Sequence, residues 1–158
     1  GGRSAENGGT GRVILEAALL DTGRPLLIPG PVPVTPETIA IAWKSTREAA
    51  HAVTAAAPFL AKAKRIVILT VPEDGRADRE AGTRLFATLH RHNPATEARH
   101  LQPGPHGAAE TLLAAAVEIG AGLLVMGGYG HSRMRELIFG GVTEHVLRTA
   151  ALPVLMTH

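Results

Sequence analysis

The chain has 158 residues, 45% of them hydrophobic, and a formal net charge of +2, which suits one well-packed α/β domain with some residues to spare. It contains no cysteine, which excludes disulfides and thiolate chemistry. No apolar run approaches the roughly 20 residues that span a bilayer, and the basic residues are scattered, which argues against nucleic-acid and membrane partners. The composition therefore favours a cytoplasmic domain.

The first third of the sequence is irregular. Residues 1–12 are rich in glycine and polar residues, a composition that predicts loop or disorder. Val13–Leu20 predicts a short helix, Thr22–Pro25 ends it, and Leu26–Ile28 predicts a short strand. Pro29–Pro33 predicts a stiff linker, because proline fixes φ and removes backbone donors.

From Thr38 onward, apolar strand-like runs alternate with amphipathic helical segments. The predicted strands are Ile39–Trp43, Arg65–Val71, Thr96–Leu101 (near a sheet edge), Leu123–Gly127 and Val154–Met156. The predicted helices are Thr46–Ala63 (kinked or split at Pro58), Arg76–Arg91, Gly107–Ile119, Met134–Phe139 and Thr143–Thr149. This alternation predicts a doubly wound α/β fold with parallel strands joined by right-handed crossovers.

A glycine-rich segment follows the buried run Leu123–Met126. It begins with Gly127-Gly128-Tyr129-Gly130, and Gly140-Gly141 stands about ten residues later, just before a predicted helix. Glycine allows close backbone approach, and a strand that leads through a loop into a helix N-terminus directs several N–H groups at one place, which suits a phosphate. The alternative is ordinary strand-to-helix turn geometry without a ligand.

The glycine spacing resembles the nucleotide loop of universal stress protein domains. Gly127-x-x-Gly130 followed by nine residues and Gly140 carries the resemblance, which extends over Thr38–His158 and includes Pro153-Val154-Leu155. The resemblance implies a five-stranded parallel sheet in the order 3-2-1-4-5, with the adenine-nucleotide α-hydrolase-like fold. It also implies a homodimer or tandem pair and, in many members, bound ATP or AMP, with Mg²⁺ accompanying ATP.

The resemblance also suggests an origin for the N-terminal segment. Residues 1–33 look like the final helix and strand of a preceding copy plus a linker, and residues 34–158 like the domain itself. The orphan strand, Leu26, Leu27 and Ile28, is then expected to pair with the last strand, Val154, Leu155 and Met156, in the same chain or in a second one.

Two positions depart from the binding pattern. Lys44 stands where nucleotide-binding members place an acid that accepts hydrogen bonds from ribose, and a cation cannot accept them, although it can reach a phosphate. Gly141 stands where the pattern has Ser or Thr, so the hydroxyl is missing while the backbone N–H is kept. Each departure is expected to cost about 1–3 kcal/mol if the ligand group is left unpaired.

The candidate nucleotide-contacting residues combine the loop with the ends of the neighbouring strands. They are Ala42, Trp43, Lys44, Val71, Met126, Gly127, Gly130, His131, Ser132, Gly140, Gly141, Val142 and Thr143. Core packing is the alternative for Val71, Met126 and Trp43, whose indole would otherwise stack on a base. Thr143 is expected to be a helix N-cap, with Glu144 near the positive end of the helix.

The sequence gives little support for catalysis, and we expect no native metal site. It lacks a G-x-S-x-G elbow and a Walker lysine, and its eight histidines show no ligand spacing. The leading hypothesis is therefore a stress-response regulatory domain that binds ATP or AMP without meaningful turnover and acts through dimerisation or a partner. The alternatives are a nucleotide-free dimerisation module with a degenerate site and, third, a slow nucleotide hydrolase or nucleotidyl-transfer enzyme.

Overall fold

The structure is a computed structural model that describes residues 3–31, 36–72, 80, 82–128 and 141–158. The helices are α1 (Arg3–Thr22), α2 (Arg47–Ala55), α3 (Ala57–Lys62), α4 (Thr83–His92), α5 (Ala108–Glu118) and α6 (Gly141–Thr149). The strands are β1 (Leu26–Ile28), β2 (Thr38–Ala42), β3 (Arg65–Thr70), β4 (Thr96–His100), β5 (Leu123–Gly127) and β6 (Val154–Thr157). The predicted helix Met134–Phe139 lies outside the described residues.

Within the described residues, the six strands form one mixed sheet in the order β4-β3-β2-β5-β6-β1. β2 to β6 are parallel to one another, and β1 is antiparallel to β6. Counted from β2, the parallel part has the order 3-2-1-4-5, which confirms the predicted doubly wound α/β fold and the edge position of β4. Strand order reverses at β2: β3 and β4 follow on one side of it, whereas β5 and β6 lie on the other side.

The inner strands are continuous apolar runs because helices cover both faces of the sheet. One face packs against α1, α5 and α6, with Leu112 and Val146 among its buried residues. The other packs against α2, α3 and α4, with Ala52 and Leu60 among its buried residues. The core is therefore a three-layer α/β/α arrangement built mainly from small aliphatic side chains.

The predicted long helix over 46–63 is two helices. Pro58 occupies the first turn of α3, where proline is tolerated because its missing N–H would have no partner in the helix. The Thr46 hydroxyl caps α2 by accepting a hydrogen bond from the Ala49 N–H at 3.2 Å. These two local signals set where each helix begins.

Two sequence predictions of irregular or helical structure are wrong. Residues 3–12 were expected to be loop or disorder, but they form the first half of α1. Once a turn exists, each further residue adds a hydrogen bond at low cost, so a helix can propagate through a stretch of weak formers. The helix predicted from Arg76 begins only at Thr83, because Gly82 adopts a left-handed φ of 82° directly before it; residues 73–79 and 81 are outside the described part.

The orphan strand finds the expected partner in the same chain. In the β1–β6 ladder, Leu26 lies opposite Met156, Leu27 opposite Leu155, and Ile28 opposite Val154. β1 therefore covers the edge of β6, which would otherwise be open for pairing. The division into residues 1–33 and 34–158 stays a prediction.

Candidate functional site

The carboxyl ends of β2 and β5 lie side by side at the point where strand order reverses. Ala42 is in register with Leu69 on one neighbour and with Met126 on the other. Trp43 follows Ala42, and its backbone N–H donates a hydrogen bond to the Leu69 carbonyl at 2.8 Å. The exposed Lys44 comes next. In open α/β sheets a ligand binds beyond such a reversal, and Ala42, Trp43 and Lys44 lie beside it. Their contact with a nucleotide stays a prediction.

Gly127 ends β5 against the first turn of α2. A Cβ atom built on Gly127 would lie 2.6 Å from the Ala49 nitrogen and 2.7 Å from the Glu48 carbonyl carbon. These are backbone atoms that cannot move without displacing α2. Close helix packing therefore accounts for the glycine at 127, whether or not a phosphate also binds there.

Gly128 is equally confined, but by side chains. A Cβ atom there would lie 2.8 Å from both Leu19 Cδ2 and Met156 Sδ, and the Gly128 N–H donates to the Thr157 carbonyl at 2.8 Å. Leu19 belongs to α1 and Met156 to β6. The start of the glycine segment is thus held by elements from both ends of the chain.

Gly141 differs from both of these glycines. Among the described residues, nothing lies within 4 Å of a Cβ built on it. α6 begins at Gly141 and returns from β5 to the parallel strand β6, so its N-terminus must lie at the carboxyl edge of the sheet. Backbone N–H groups of its first turn therefore face the edge where Ala42 and Gly127 lie.

The N-cap prediction for Thr143 is wrong. Because α6 begins two residues earlier, Thr143 falls inside the first turn and is buried. Val142 is half-buried against the α5 side of the core, and Glu144 lies in the first turn, at the positive end of the helix, as expected.

The apolar candidates are mainly packed into the core. Met126 is buried in the sheet, and Val71, just after β3, packs against the same cluster. The Trp43 ring packs on the opposite face, next to Ile68 and beneath Gly82. The remaining candidates, Gly130, His131, Ser132 and Gly140, lie outside the described residues.

Two buried polar atoms at this edge lack hydrogen-bond partners among the described residues. They are the Trp43 Nε1–H and the Thr157 hydroxyl, and Thr157 is in register with Gly127. Buried polar groups are normally satisfied, so a partner for each of these two atoms is expected from outside the described residues, at the carboxyl ends of β2 and β6.

Sequence reasoning missed a hydroxyl–imidazole contact further along the same edge. The buried Thr70 hydroxyl lies 2.7 Å from His100 Nδ1, at the carboxyl ends of β3 and β4. The two residues are far apart in sequence but in register in the sheet, so strand pairing is the only signal that could have found them. The described contacts place no acid beside His100, so we interpret the pair as a structural hydrogen bond that joins the ends of β3 and β4.

The clearest perturbed carboxylate lies elsewhere. Burial raises the pKa of Glu97, but its hydrogen bonds to Arg65 at 3.1 Å and to Arg99 at 2.8 Å, with the charges of both guanidinium groups, outweigh this and hold the pKa below its ordinary value. Across the described part of the chain, no three His, Asp or Glu side chains are grouped as metal ligands would be, and no helix has the length and hydropathy of a membrane span.

Comparisons with known proteins agree with this geometry. The sequence model of the universal stress protein family matches residues 36–158. A curated relative, universal stress protein Slr1230 of Synechocystis, is 54% identical over 33 residues, which are 21% of this chain and 12% of that protein. The chain thus matches only a small part of the length of that relative.

Solved structures resemble the chain over much more of its length. A universal stress protein from Archaeoglobus fulgidus superposes with a TM-score of 0.69 at 21% identity, covering 94% of this chain and 56% of its own. A family protein from Burkholderia pseudomallei gives 0.56 at 31% identity, covering 79% and 98%. A universal stress protein solved in complex with cAMP gives 0.57 at 23% identity, covering 78% and 97%. The chain therefore belongs to the universal stress protein family.

Proposed function

We propose that this chain is a regulatory stress-response domain that binds an adenine nucleotide at the carboxyl edge of its sheet, without turning it over. The observation that carries the proposal is the reversal of strand order at β2, where Ala42 and Met126 meet in register beside the edge from which α6 starts. The existence of a structural relative in complex with cAMP supports the choice of an adenine nucleotide. ATP, with Mg²⁺, and AMP are the ligands we expect, in a cytoplasmic setting.

The charges at this edge favour the phosphate end of such a ligand. The N-terminus of α6 offers backbone donors and a partial positive charge, and the exposed Lys44 adds a full one. Lys44 has no acceptor for the protons of the ribose hydroxyls. We therefore expect the affinity to depend on phosphate more than on ribose.

The proposal includes pairing with a second copy of the domain, in tandem or as a dimer. The β1–β6 register is symmetric about the Leu27–Leu155 pair, since Leu26 faces Met156 as Ile28 faces Val154. At constant spacing along the chain, Leu19, Pro25 and Leu27 also correspond to Leu147, Pro153 and Leu155. A strand that repeats β6 and pairs with it about a local twofold is what a symmetric domain interface requires.

Isothermal titration of AMP, ATP and cAMP, with and without Mg²⁺, tests the ligand. We expect micromolar binding by the wild type and tighter binding by Gly141→Ser, which introduces the missing hydroxyl where a Cβ has open space. Lys44→Asp is expected to weaken binding of ATP more than that of a nucleoside without phosphate. Failure of the wild type to bind any of the three would contradict the proposal, and release of ADP above background would contradict the absence of turnover.

A nucleotide-free dimerisation module is the second candidate. It is favoured by the packing around Gly127 and Gly128, which explains both glycines without a ligand. Binding that appears only in the Lys44→Asp/Gly141→Ser double variant would show that the site is degenerate in the natural chain.

A further inference from the structure

The helix α1 is anchored to the domain by a side chain at the proposed ligand edge. Leu19 is 0% exposed and belongs to the core on the α5 side of the sheet, whereas Val13 and Ile14, earlier on the same helix, are 63% and 62% exposed. Among the side chains of α1 that the structure describes, the buried one therefore lies near the C-terminal end of the helix.

The surface that receives Leu19 is the end of β5. A Cβ atom built on Gly128 would lie 2.8 Å from both Leu19 Cδ2 and the Met156 sulfur, so both side chains pack against this glycine. A larger residue at 128 would require the Leu19 or Met156 side chain to move. Gly128 directly follows Gly127, at the carboxyl end of β5 beside the strand-order reversal. Leu19 therefore packs against the backbone of the edge at which we propose that the nucleotide binds.

The same contact is tied to β1 through Met156. Met156 lies opposite Leu26 in the β1–β6 ladder, and its side chain also packs against Gly128. The Gly128 N–H donates a hydrogen bond to the carbonyl of Thr157, the next residue of β6. Docking of β1 and seating of Leu19 thus act on one small cluster: Leu19, Gly128, Met156 and Thr157. A change in one member is expected to alter the packing of the others, because protein interiors are closely packed.

We infer that α1 and β1 control the ligand edge: Leu19 is a positioning residue that holds Gly128, so docking of the N-terminal segment and occupancy of the nucleotide site stabilise each other. The part about occupancy rests on the proposed function. By thermodynamic linkage, the factor by which docking raises nucleotide affinity equals the factor by which nucleotide raises docking. In a tandem or dimeric arrangement, this contact would couple the docking of one copy to the nucleotide affinity of the next.

Three variants test the inference in the full chain. Leu19→Ala removes the contact, Leu19→Met keeps its volume, and Val13→Ala changes an exposed position of the same helix. In the absence of nucleotide, we expect Leu19→Ala to speed amide exchange of Gly128 by about tenfold or more, while Leu19→Met and Val13→Ala stay near wild type. A Gly128 exchange rate in Leu19→Ala equal to that of the wild type would overturn the inference.

Titration with AMP then tests the coupling. We expect a dissociation constant about tenfold higher for Leu19→Ala, restored by Leu19→Met. Unchanged affinity in Leu19→Ala would overturn the coupling. Failure of the wild type to bind any of AMP, ATP and cAMP would overturn the proposed function, while the Gly128 exchange result still decides the role of Leu19. A reciprocal measurement needs no variant: AMP is expected to slow amide exchange in Leu26–Ile28 of the wild type, and no change there would count against the inference even if Leu19→Ala failed to fold.

Discussion

Gly127 and Gly141 look equivalent in the sequence, since each belongs to a glycine pair at the edge of the predicted loop. In the structure their surroundings are opposite. Gly127 is pressed against the backbone of α2, whereas Gly141 has open space among the described residues. A glycine retained for packing and a glycine that is free to change carry different information about a ligand, and only contacts from distant residues distinguish them.

This contrast predicts opposite effects of the same substitution. Gly127→Ala is expected to lower the free energy of unfolding by about 1–3 kcal/mol or more, because the new methyl group overlaps α2 backbone atoms. Gly141→Ala, the matched control, is expected to be neutral or stabilising by up to about 1 kcal/mol, because alanine favours the helix. Urea unfolding followed by far-UV circular dichroism measures both, and equal midpoints for the two variants would contradict the packing role of Gly127.

Glu97 gives a prediction about pH. Its folded pKa lies below the ordinary 4.5, so the ionised form contributes stability that is present above that value and is lost as the pH falls through the folded pKa. The side chain is 40% exposed, so solvent screening limits the contribution to less than about 1 kcal/mol. Glu97→Gln should unfold at lower urea than wild type at pH 7, and the difference should close as the pH falls through the folded pKa of Glu97.

The control for this variant is Glu118→Gln, an exposed carboxylate in the last turn of α5. It removes the same charge without breaking the Arg65–Glu97–Arg99 contacts. We expect its midpoint at pH 7 to equal or exceed that of the wild type. A Glu97→Gln defect that persisted unchanged at pH 3 would show a packing effect and not an ionic one.

Among the elements, β1 has the least local reason to form. It has three residues, follows a glycine turn and precedes a proline-rich linker, and a strand of this length is stable only when it pairs with a sheet. Its stability comes from the β6 ladder and from Leu26 and Ile28, which pack on the core while Leu27 is 50% exposed. β1 is therefore the element whose removal uncovers a sheet edge.

A charge placed on the core-facing or on the exposed side of β1 tests whether core packing keeps β1 paired with β6. Ile28→Asp places a carboxylate against the core and is expected to undock β1, expose β6 and produce a concentration-dependent dimer through the open edge. Leu27→Asp adds the same charge on the exposed side and should leave β1 paired. Light scattering at several concentrations and amide exchange of Val154–Thr157 check this, and identical behaviour of the two variants would contradict the predicted role of β1.

The part of the chain that the structure describes is one sheet with helices on both faces, and its first element packs into the same core as its last. Leu19 of α1 shares a buried cluster with Val154 and Met156 of β6, and β1 extends the sheet. Residues that resemble the tail of another domain are thus part of this core. We expect the chain to unfold as one cooperative unit, without early loss of its N-terminal segment.

The single tryptophan makes this testable. Trp43 reports on the opposite face of the sheet from Leu19, because its ring packs with the α2, α3 and α4 side. Unfolding in urea followed by Trp43 fluorescence and by far-UV circular dichroism should give coincident midpoints. An earlier loss of helix signal while Trp43 fluorescence stays native would show that α1 and β1 melt separately.

The order and type of most elements could be read from the sequence because they depend on neighbouring residues. Continuous apolar runs such as Arg65–Val71 gave buried strands, the repeated i, i+3, i+4 pattern gave helices, and Pro58 marked the break between α2 and α3. The resemblance to a known family added the strand order. The start of α4 and the helical first half of α1 could not be read in this way, because the backbone conformation of Gly82 and helix propagation leave no periodic signal.

The meaning of the individual site residues was decided only by tertiary structure. Gly127, Gly128 and Gly141 have the same chemistry, and what separates them is whether α2, Leu19 or open space lies beside each α-carbon. Distant parts of the chain make those contacts, so no local pattern encodes them. The sequence alone determined that a glycine-rich turn follows a buried strand of a wound sheet; which glycines are held by packing, and which remain available to a ligand, depends on how helices and strands far apart in the chain meet at that edge.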